Sequence, residues 1–172
     1  MSRKFYLASL VILLTNRVMH IDPLKKSDYA QWRPLFDENN LHSLSDALID
    51  QTWQRLHDPK VPINGFALRM TPLSGGEEVL AGLVHYVLHP VTGANGPACY
   101  MEDLFIHKDW RRQGLGKMLV KHLARKAKQE DWCRLYWFAD KRNEEVQKFY
   151  ADKELGIEMP FGLHFFPMEM VT

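Results

Sequence analysis

The segment from Glu102 to Ala127, EDLFIHKDWRRQGLGKMLVKHLARKA, constrains the fold of this chain more than any other. Its first residues are apolar and predict the end of a strand, whereas its last residues repeat an apolar side chain every four positions, which is typical of a helix. Between them lie a cluster of basic residues and two glycines, Gly114 and Gly116. A strand that turns directly into a helix predicts a βαβ unit with one parallel pair of strands.

The rest of the sequence predicts helices and antiparallel strands around that unit. Two helices are expected over residues 29–40 and 46–57; Ser27-Asp28 can cap the first, and Ser45 begins the second. Runs rich in strand-forming residues between positions 65 and 107 are separated by PLSGGEE and PVTGANGP, which predict hairpin turns. A strand over 133–139, a helix that begins at Asn143 and a last strand, FGLHFFPMEM, are expected afterwards. The fold class that follows is α/β, or mixed α+β, with a mostly antiparallel sheet.

Length and composition fit a single domain. The chain has 172 residues, of which 46% are hydrophobic and 25% charged, and its formal net charge of +1 indicates no particular partner. The opening MSRKFYLASLVILLTN resembles a secretory signal, but its apolar run is too short to span a bilayer and lacks a cleavage pattern. We expect residues 1–17 to be an extension packed on one domain of residues 18–172; a natural start at Met19 is the alternative.

The two cysteines, Cys99 and Cys133, have no spacing typical of a disulfide framework or a metal site. Both lie in apolar stretches, so buried free thiols are expected, which favours a reducing, cytoplasmic location. The histidines show no ligand spacing either, and no metal is expected. The sequence predicts no transmembrane segment and no membrane partner.

The loop from Arg111 to Gly116 has the features of an anion site. Residues 108–128 include eight basic residues and one acid, Asp109. Glycines let backbone N–H groups approach an anion closely, and the helix N-terminus adds the positive end of its dipole. The P-loop pattern is absent, and Leu119 stands where the dinucleotide fingerprint needs its third glycine. The pattern that is present, R-x-x-G-x-G, predicts a phosphate or diphosphate ligand. The basic residues of the helix over 121–128 are equally typical of a solvated helix surface.

Linked motifs resemble the GNAT superfamily of N-acetyltransferases. YMEDLFIHKDWRRQGLG is similar to the strand and the acetyl-CoA diphosphate loop of the spermidine/spermine and thialysine branch. RLYWFADKRNEEVQKFY is similar to the next segment of that branch and of small fungal amine and histone acetyltransferases. The resemblance covers most of residues 19–172 in element order, and residues 100–150 in motif. It implies a six- to seven-stranded sheet, about four flanking helices and acetyl-CoA as cosubstrate; Arg112 departs from it, because relatives often have glycine there.

The resemblance also implies roles for individual residues. Glu102 would take a proton from the amine or merely attract a cationic substrate, and strand alternation predicts that Asp103 faces the other way. Tyr150 would donate a proton to the departing thiolate, or else be a core residue. The backbone of 104–106 would hold the pantetheine arm and polarise the thioester carbonyl, while its side chains pack in the core. The expected cofactor-binding residues are Leu104, Phe105, Ile106, Arg111, Arg112, Gln113, Gly114, Leu115, Gly116, Lys117, Asn143 and Tyr150.

The acceptor is less constrained than the cosubstrate. The expected substrate residues are Glu38, Glu102 and Asp103, and the acids of the early helices would form either an acidic rim or a solvated surface: Asp37, Glu38, Asp46 and Asp50. The expected reaction moves an acetyl group from acetyl-CoA to a primary amine by direct attack in a ternary complex. A small cationic amine, a polyamine or an amino acid is the expected acceptor, and a peptide or histone-like amine is the alternative.

Two other classes of function stay open at this stage. A CoA-binding module without catalysis would keep the loop but would not need Glu102 or Tyr150. A nucleic-acid-binding module would use the basic helix together with Trp132 and Tyr136, although the near-neutral charge and the glycine loop argue against it. Because edge strands of this fold commonly pair, a homodimer is expected by analogy.

Overall fold

A computed structural model of the chain describes residues 12–14, 17–40 and 43–160. Short 3₁₀ turns lie at Lys26–Asp28 and Lys108–Trp110. The strands and α-helices of the described residues are β1 (Ile12–Leu14), β2 (Arg17–Pro23), α1 (Tyr29–Asn39), α2 (Asp46–Leu56), β3 (Ile63–Pro72), β4 (Val79–His89), β5 (Ala98–Ile106), α3 (Leu115–Gln129), β6 (Arg134–Tyr136) and α4 (Glu144–Tyr150).

The strands form one sheet in the order β1-β2-β3-β4-β5-β6. Neighbouring strands from β1 to β5 are antiparallel, and β6 returns parallel to β5 after the crossover helix α3. This arrangement confirms the mixed, mostly antiparallel sheet with a parallel crossover that the sequence predicts.

Helices pack on both faces of the sheet. On one face, Leu83 of β4 lies in a buried cluster with Trp32 of α1 and Ile49 of α2. Tyr86, three residues further along β4, faces the opposite side of the sheet, where its ring stacks on Phe66. Phe66 in turn meets His122 of α3 at a ring distance of 4.7 Å. The apolar positions predicted for α3 are buried in the structure: Leu115, Leu119, Leu123 and Ala127.

The two predicted N-caps differ in the structure. The Ser45 hydroxyl accepts a hydrogen bond from the Leu48 N–H, so the cap of α2 is confirmed. Asp28 precedes α1 but makes no side-chain cap, and that prediction is wrong. Its carboxylate instead accepts the Lys25 N–H at 2.6 Å and two bonds from the Arg69 guanidinium. A buried guanidinium needs charged partners, and it recruits the carboxylate that would otherwise have capped the helix.

Arg69 is the centre of a buried ionic network that joins β2, β3 and the start of α1. Its side chain is 4% exposed and donates to Asp22 at 2.6 Å and to Asp28 at 2.6 and 2.8 Å. Burial alone would raise the pKa of both carboxyls, but the hydrogen bonds and the charges of Arg69 and Lys25 outweigh it and hold both pKa values below their usual range.

The two cysteines also differ. Cys99 is buried and Cys133 is exposed, so the expectation of a buried thiol is wrong for Cys133. That residue lies between α3 and β6, where its N–H donates to the Pro97 carbonyl at 2.9 Å. Burial raises the pKa of the Cys99 thiol to about 12. In the described ranges, no helix is long and apolar enough to cross a membrane, and no cluster of three or more His, Cys, Asp or Glu side chains could hold a metal ion.

The chain divides into two compact units, Met1–Phe138 and Ala139–Thr172. The sheet and helices α1 to α3 belong to the first unit, and α4 belongs to the second. In the first unit β1 pairs with β2, with Ile12 opposite Met19. The division into an extension of residues 1–17 and one domain of residues 18–172 stays a prediction. The last predicted strand, over residues 161–170, lies outside the described residues.

Candidate functional site

The loop between β5 and α3 contains two residues with left-handed backbone. Gly114, the N-cap of α3, has φ 78°, and Arg112 has φ 63°. Such φ values suit glycine but strain a residue with a Cβ, which gives a physical reason for the glycine that relatives often have at Arg112. A Cβ added to Gly114 would meet no heavy atom within 4 Å, so the space in front of this turn is open. The first N–H groups of a helix have no partner inside it, and these N–H groups can bind an anion at this turn.

Arg111 ties this loop to its surroundings. Its Nε donates to the Ile106 carbonyl at 2.9 Å, and its Nη2 donates to the Glu38 carboxylate at 3.3 Å. Its guanidinium also lies over the Phe105 ring, 5.3 Å from the centroid. Two residues expected to meet ligands, Arg111 and Glu38, therefore already bind each other, and the side chain of Arg111 holds the loop against the end of β5.

Only the first part of β5 is paired with β6. β6 pairs with Ala98, Cys99 and Tyr100 and then ends. Beyond Tyr100, the strand partner that the described residues give to β5 is β4. Among the residues that the structure describes, no strand pairs with the second backbone edge of 104–106, although the Ile106 carbonyl accepts a bond from Arg111 Nε. The Phe105 side chain is buried in the core, and the binding of a pantetheine arm along this edge stays a prediction.

A β-bulge lies at the centre of this strand. Met101 pairs with Tyr86 and Asp103 pairs with His85, so Glu102 is the extra residue of β5. Adjacent residues of β4 face opposite sides, and hence Met101 and Asp103 face opposite sides as well. The side chain of Glu102 points to the side of the sheet opposite to that of Met101, which is the side of Asp103, and the two carboxyls interact electrostatically there. The prediction that Asp103 faces away from Glu102 is therefore wrong, because simple alternation does not anticipate a bulge.

Asp103 belongs to a buried hydrogen-bond network that sequence reasoning missed. The Trp32 indole N–H donates to His85 Nε2 at 2.9 Å, which leaves the proton of a neutral imidazole on Nδ1. His85 Nδ1 donates to one oxygen of Asp103 at 2.9 Å, and the Asn39 amide donates to the other, also at 2.9 Å. A single histidine in an apolar strand carries no sequence signal for this role. The network links α1 to the bulge and fixes the charge of Asp103 beside Glu102.

Glu102 therefore occupies an unusual electrostatic position. Partial burial raises the pKa of its carboxyl, and the negative charge of Asp103 raises that pKa further. A carboxylate with a raised pKa holds a proton more tightly and is a stronger base near neutral pH.

The early acids have internal partners. Arg33 contacts Asp46 at 2.5 Å and Asp50 at 3.2 Å, and the Tyr29 hydroxyl donates to Asp50. These two carboxylates share one guanidinium within the helix pair and are hydrogen-bonded there, as expected for a surface more than for an acidic rim. Glu38 lies instead in the wall of an open cavity of about 910 Å³ between α1 and the β5–α3 loop, where it shares the lining with Gln113 of the predicted site.

Three aromatic side chains form a cluster where β6 ends. The rings of Tyr100 and Tyr136, which are opposite each other in the parallel pair, are 5.3 Å apart. Phe138 lies 5.6 Å from Tyr100 and 6.2 Å from Tyr136. The two-residue spacing of Tyr136 and Phe138 could have shown that they share a face, but not that Tyr100 lies opposite them.

Two of the predicted cofactor-binding residues, Asn143 and Tyr150, lie in the second unit. The Asn143 Oδ1 accepts the N–H groups of Glu145 and Val146 at 3.1 and 3.2 Å, so the predicted cap of α4 is confirmed. Any contact of Asn143 with a cofactor would then use its amide nitrogen. Tyr150 is the last residue of α4, and burial raises its pKa to about 12, which keeps its phenol protonated at neutral pH.

Comparisons with known proteins agree with this geometry. The model of the acetyltransferase (GNAT) family matches residues 28–157, which is most of the chain. This chain belongs to the GNAT family of acetyltransferases. Its enzyme class is that of the acetyl-CoA-dependent N-acetyltransferases, and the narrower spermidine and thialysine branch stays a prediction.

Individual relatives of this GNAT chain are distant. The D-amino-acid N-acetyltransferase of Saccharomyces cerevisiae is 23% identical over 142 residues, which cover 81% of this chain and 85% of the relative. The ribosomal-protein-alanine N-acetyltransferase from Brucella melitensis biovar Abortus 2308 superimposes with a TM-score of 0.67 at 19% identity, covering 87% and 98% of the two chains. An aminoglycoside N-acetyltransferase, AAC(6')-Iy with bound CoA, gives 0.69 at 18%, covering 91% and 98%. At these identities the structures show that the fold is shared.

Proposed function

We propose that this GNAT chain transfers an acetyl group from acetyl-CoA to a primary amine by direct attack in a ternary complex. The acceptor is a small cationic amine, a polyamine or an amino acid. One observation carries the proposal: the bulge of β5 lies at Glu102, whose pKa is raised, and the part of β5 that follows it has no described strand partner besides β4 and leads into the glycine loop. A base and a diphosphate loop then lie along one strand, as the reaction requires.

The cosubstrate supplies the acetyl thioester, and the chain binds and orients it. The N–H groups at the start of α3 and the open turn at Gly114 would hold the diphosphate. The backbone N–H groups of residues 104–106 on the edge that no described strand pairs with would bind the pantetheine arm and donate to the thioester carbonyl. Arg111 would act by holding the loop in place, because its guanidinium already binds the Ile106 carbonyl and Glu38.

Two side chains would move protons in this reaction. A lysine-like amine has a pKa of about 10.4, so it is mostly protonated at neutral pH and needs a base before it can attack. Glu102 would take this proton, directly or through water. The nitrogen then forms its bond to the acetyl carbon, the carbon–sulfur bond breaks, and the leaving thiolate takes a proton. Tyr150 would supply that proton, since a phenol is protonated at neutral pH. Burial, which raises its pKa to about 12, makes the phenol a weaker acid, so the developing thiolate would have to draw the proton from it.

A thiol-release assay tests this proposal. Acetyl-CoA is incubated with polyamines, amino acids, arylalkylamines, aminoglycosides and histone-tail peptides, and free thiol is measured. We expect release with small amines, and a decrease of kcat far larger than that of acetyl-CoA affinity in Tyr150→Phe. We also expect the pH–rate profile of Glu102→Gln to lie at higher pH, because substrate must then lose its proton to solvent.

The matched control is Glu77→Gln, which removes the same charge from an exposed turn and should keep the wild-type profile. CoA binding without thiol release from any amine would contradict the proposal and favour a non-catalytic module. Release with peptides alone would favour the peptide acceptor.

We propose in addition that the protein is a cytoplasmic homodimer. The free thiols of Cys99 and Cys133 are consistent with a reducing compartment. The strands at the two sides of the described sheet, β1 and β6, offer edges for pairing between subunits. Light scattering coupled to size exclusion would measure the assembly, and a monomer at micromolar concentration would contradict a dimer.

A further inference from the structure

The cluster of Tyr100, Tyr136 and Phe138, named here the aromatic platform, is held in a fixed arrangement. The His89 Nδ1 lies 3.1 Å from the Pro90 carbonyl, which can only accept, so this nitrogen has the imidazole proton. His89 Nε2 is then an acceptor, and the Tyr136 hydroxyl donates to it at 2.9 Å. The Tyr136 ring is fixed by this bond, and it orients the two rings that pack against it.

The aromatic platform presents apolar surface to solvent. Phe138 is 58% exposed, whereas Tyr100 and Tyr136 are partly buried. Phe138 packs against the two partly exposed tyrosine rings, so the three form a contiguous apolar patch, and such patches are typical of surfaces that bind a ligand or partner. Because the three rings touch one another, they offer a surface on which another ring can stack and not a cage that encloses a cation.

This surface adjoins the proposed base. Tyr100 and Glu102 are two residues apart on β5 and face the same side of the sheet. The two side chains also interact electrostatically. Burial raises the pKa of Tyr100, and the negative charge of Glu102 raises that pKa further. A ligand with its nitrogen at Glu102 therefore has its carbon body within reach of the aromatic platform.

The hydrogen bonds of the carboxylates on this face favour a ligand with one cationic centre, which would meet Glu102. The other carboxylates around the site already have internal partners: Asp46 and Asp50 with Arg33, Glu38 with Arg111, and Asp103 with His85 and Asn39. Glu102 has neither a hydrogen bond nor an ion pair with a residue that the structure describes. The second ammonium of a polyamine would therefore meet a carboxylate whose oxygens are already hydrogen-bonded, as both oxygens of Asp103 are, whereas a monoamine needs Glu102 alone.

We propose that the acceptor is an arylalkylamine, a primary monoamine whose aromatic ring stacks on the aromatic platform while its nitrogen meets Glu102. This inference rests on the proposed function and narrows its acceptor. Stacking of two rings adds to the burial of apolar surface, so the ring raises kcat/KM relative to an alkyl amine of similar length.

The experiment measures kcat/KM for thiol release with 2-phenylethylamine, butylamine and spermidine. We expect the phenylethylamine value to exceed the other two by about tenfold or more, the effect of a well-packed ring. Phe138→Ala should reduce the phenylethylamine/butylamine ratio of kcat/KM several-fold, and Phe138→Tyr, which keeps the ring, should restore it. Leu73→Ala removes another large apolar side chain, 54% exposed in a distant turn, and should leave the ratio unchanged.

The outcomes separate this inference from the proposed function. A preference for spermidine, or a ratio that Phe138→Ala does not alter, would overturn the arylalkylamine assignment while acetyl transfer itself stands. Absence of thiol release with every amine would overturn both. Because Phe138 is mostly exposed, the variant should fold, and its thermal unfolding is measured alongside.

Discussion

Replacement of His85 by leucine should test the buried network that fixes Asp103. The imidazole side chain is 3% exposed and lies between the Trp32 indole and the Asp103 carboxylate, with both hydrogen bonds at 2.9 Å. Leucine has a similar volume and leaves little cavity, so the change removes hydrogen bonds more than packing. The Trp32 residue is 0% exposed, and its N–H would then be buried without an acceptor.

The magnitude follows from these two lost bonds. A buried donor without a partner costs about 1–3 kcal/mol, and a bond to a charged group contributes about 1.5–3 kcal/mol. The second value falls toward its lower end here, because the Asp103 side chain is 18% exposed and keeps its bond from Asn39. Leucine returns about 1 kcal/mol through greater hydrophobicity. The net loss should be about 2–4 kcal/mol, which lowers Tm by about 4–16 °C in a chain of this size.

Urea unfolding with a double-mutant cycle measures this effect. His85→Gln places an amide oxygen and nitrogen near the two imidazole positions and should recover most of the stability. Trp32→Phe removes the orphaned donor, so the losses of unfolding free energy in the two single variants should sum to more than the loss in the double variant. A His85→Leu protein as stable as wild type, or strict additivity in the cycle, would refute the network as described.

Two further predictions concern the ionic network and the loop. The pKa values of Asp22 and Asp28 are lowered in the folded protein, so their contribution is present above the unfolded-state pKa of about 3.9 and is lost as pH falls toward the folded values. Asp28→Asn should therefore reduce stability at pH 7 and flatten its acid dependence between about pH 5 and 2, measured by thermal melts; equal acid slopes in both proteins would contradict this. At Arg112, whose φ is 63°, glycine should give a protein more stable than alanine by about 1 kcal/mol in urea melts, and the reverse order would show that the loop has another conformation.

Much of the fold could be predicted from local patterns. The four-residue repeat of α3 and the turn segments around β4 are signals within a short window, and both are confirmed. The position of the glycine loop between a strand and a helix was also predicted from spacing, and the left-handed φ of Gly114 agrees with the use of glycine there. The anion that the loop would bind stays a prediction.

Features that depend on several distant segments could not be predicted. The bulge at Glu102 arises from the register with β4, and the sequence of β5 alone does not signal it. Asp28 was expected to cap α1, but Arg69, 41 residues away in the chain, claims its carboxylate. The aromatic platform depends on the parallel register of two strands separated by the whole of α3. In each case a tertiary contact gives a residue a role that differs from the one its local sequence predicts.

The loop's diphosphate site is tested most directly by the affinities of dephospho-CoA and pantetheine for the wild-type chain and for Gly114→Ala, measured by calorimetry. A methyl group at φ 78° strains the turn and projects into its open side, whereas the β5 edge stays intact. We expect wild type to bind dephospho-CoA at least ~100-fold more tightly than pantetheine, with most of this advantage lost in the variant and pantetheine affinity unchanged. An equal advantage in both proteins would place the diphosphate elsewhere and contradict the account.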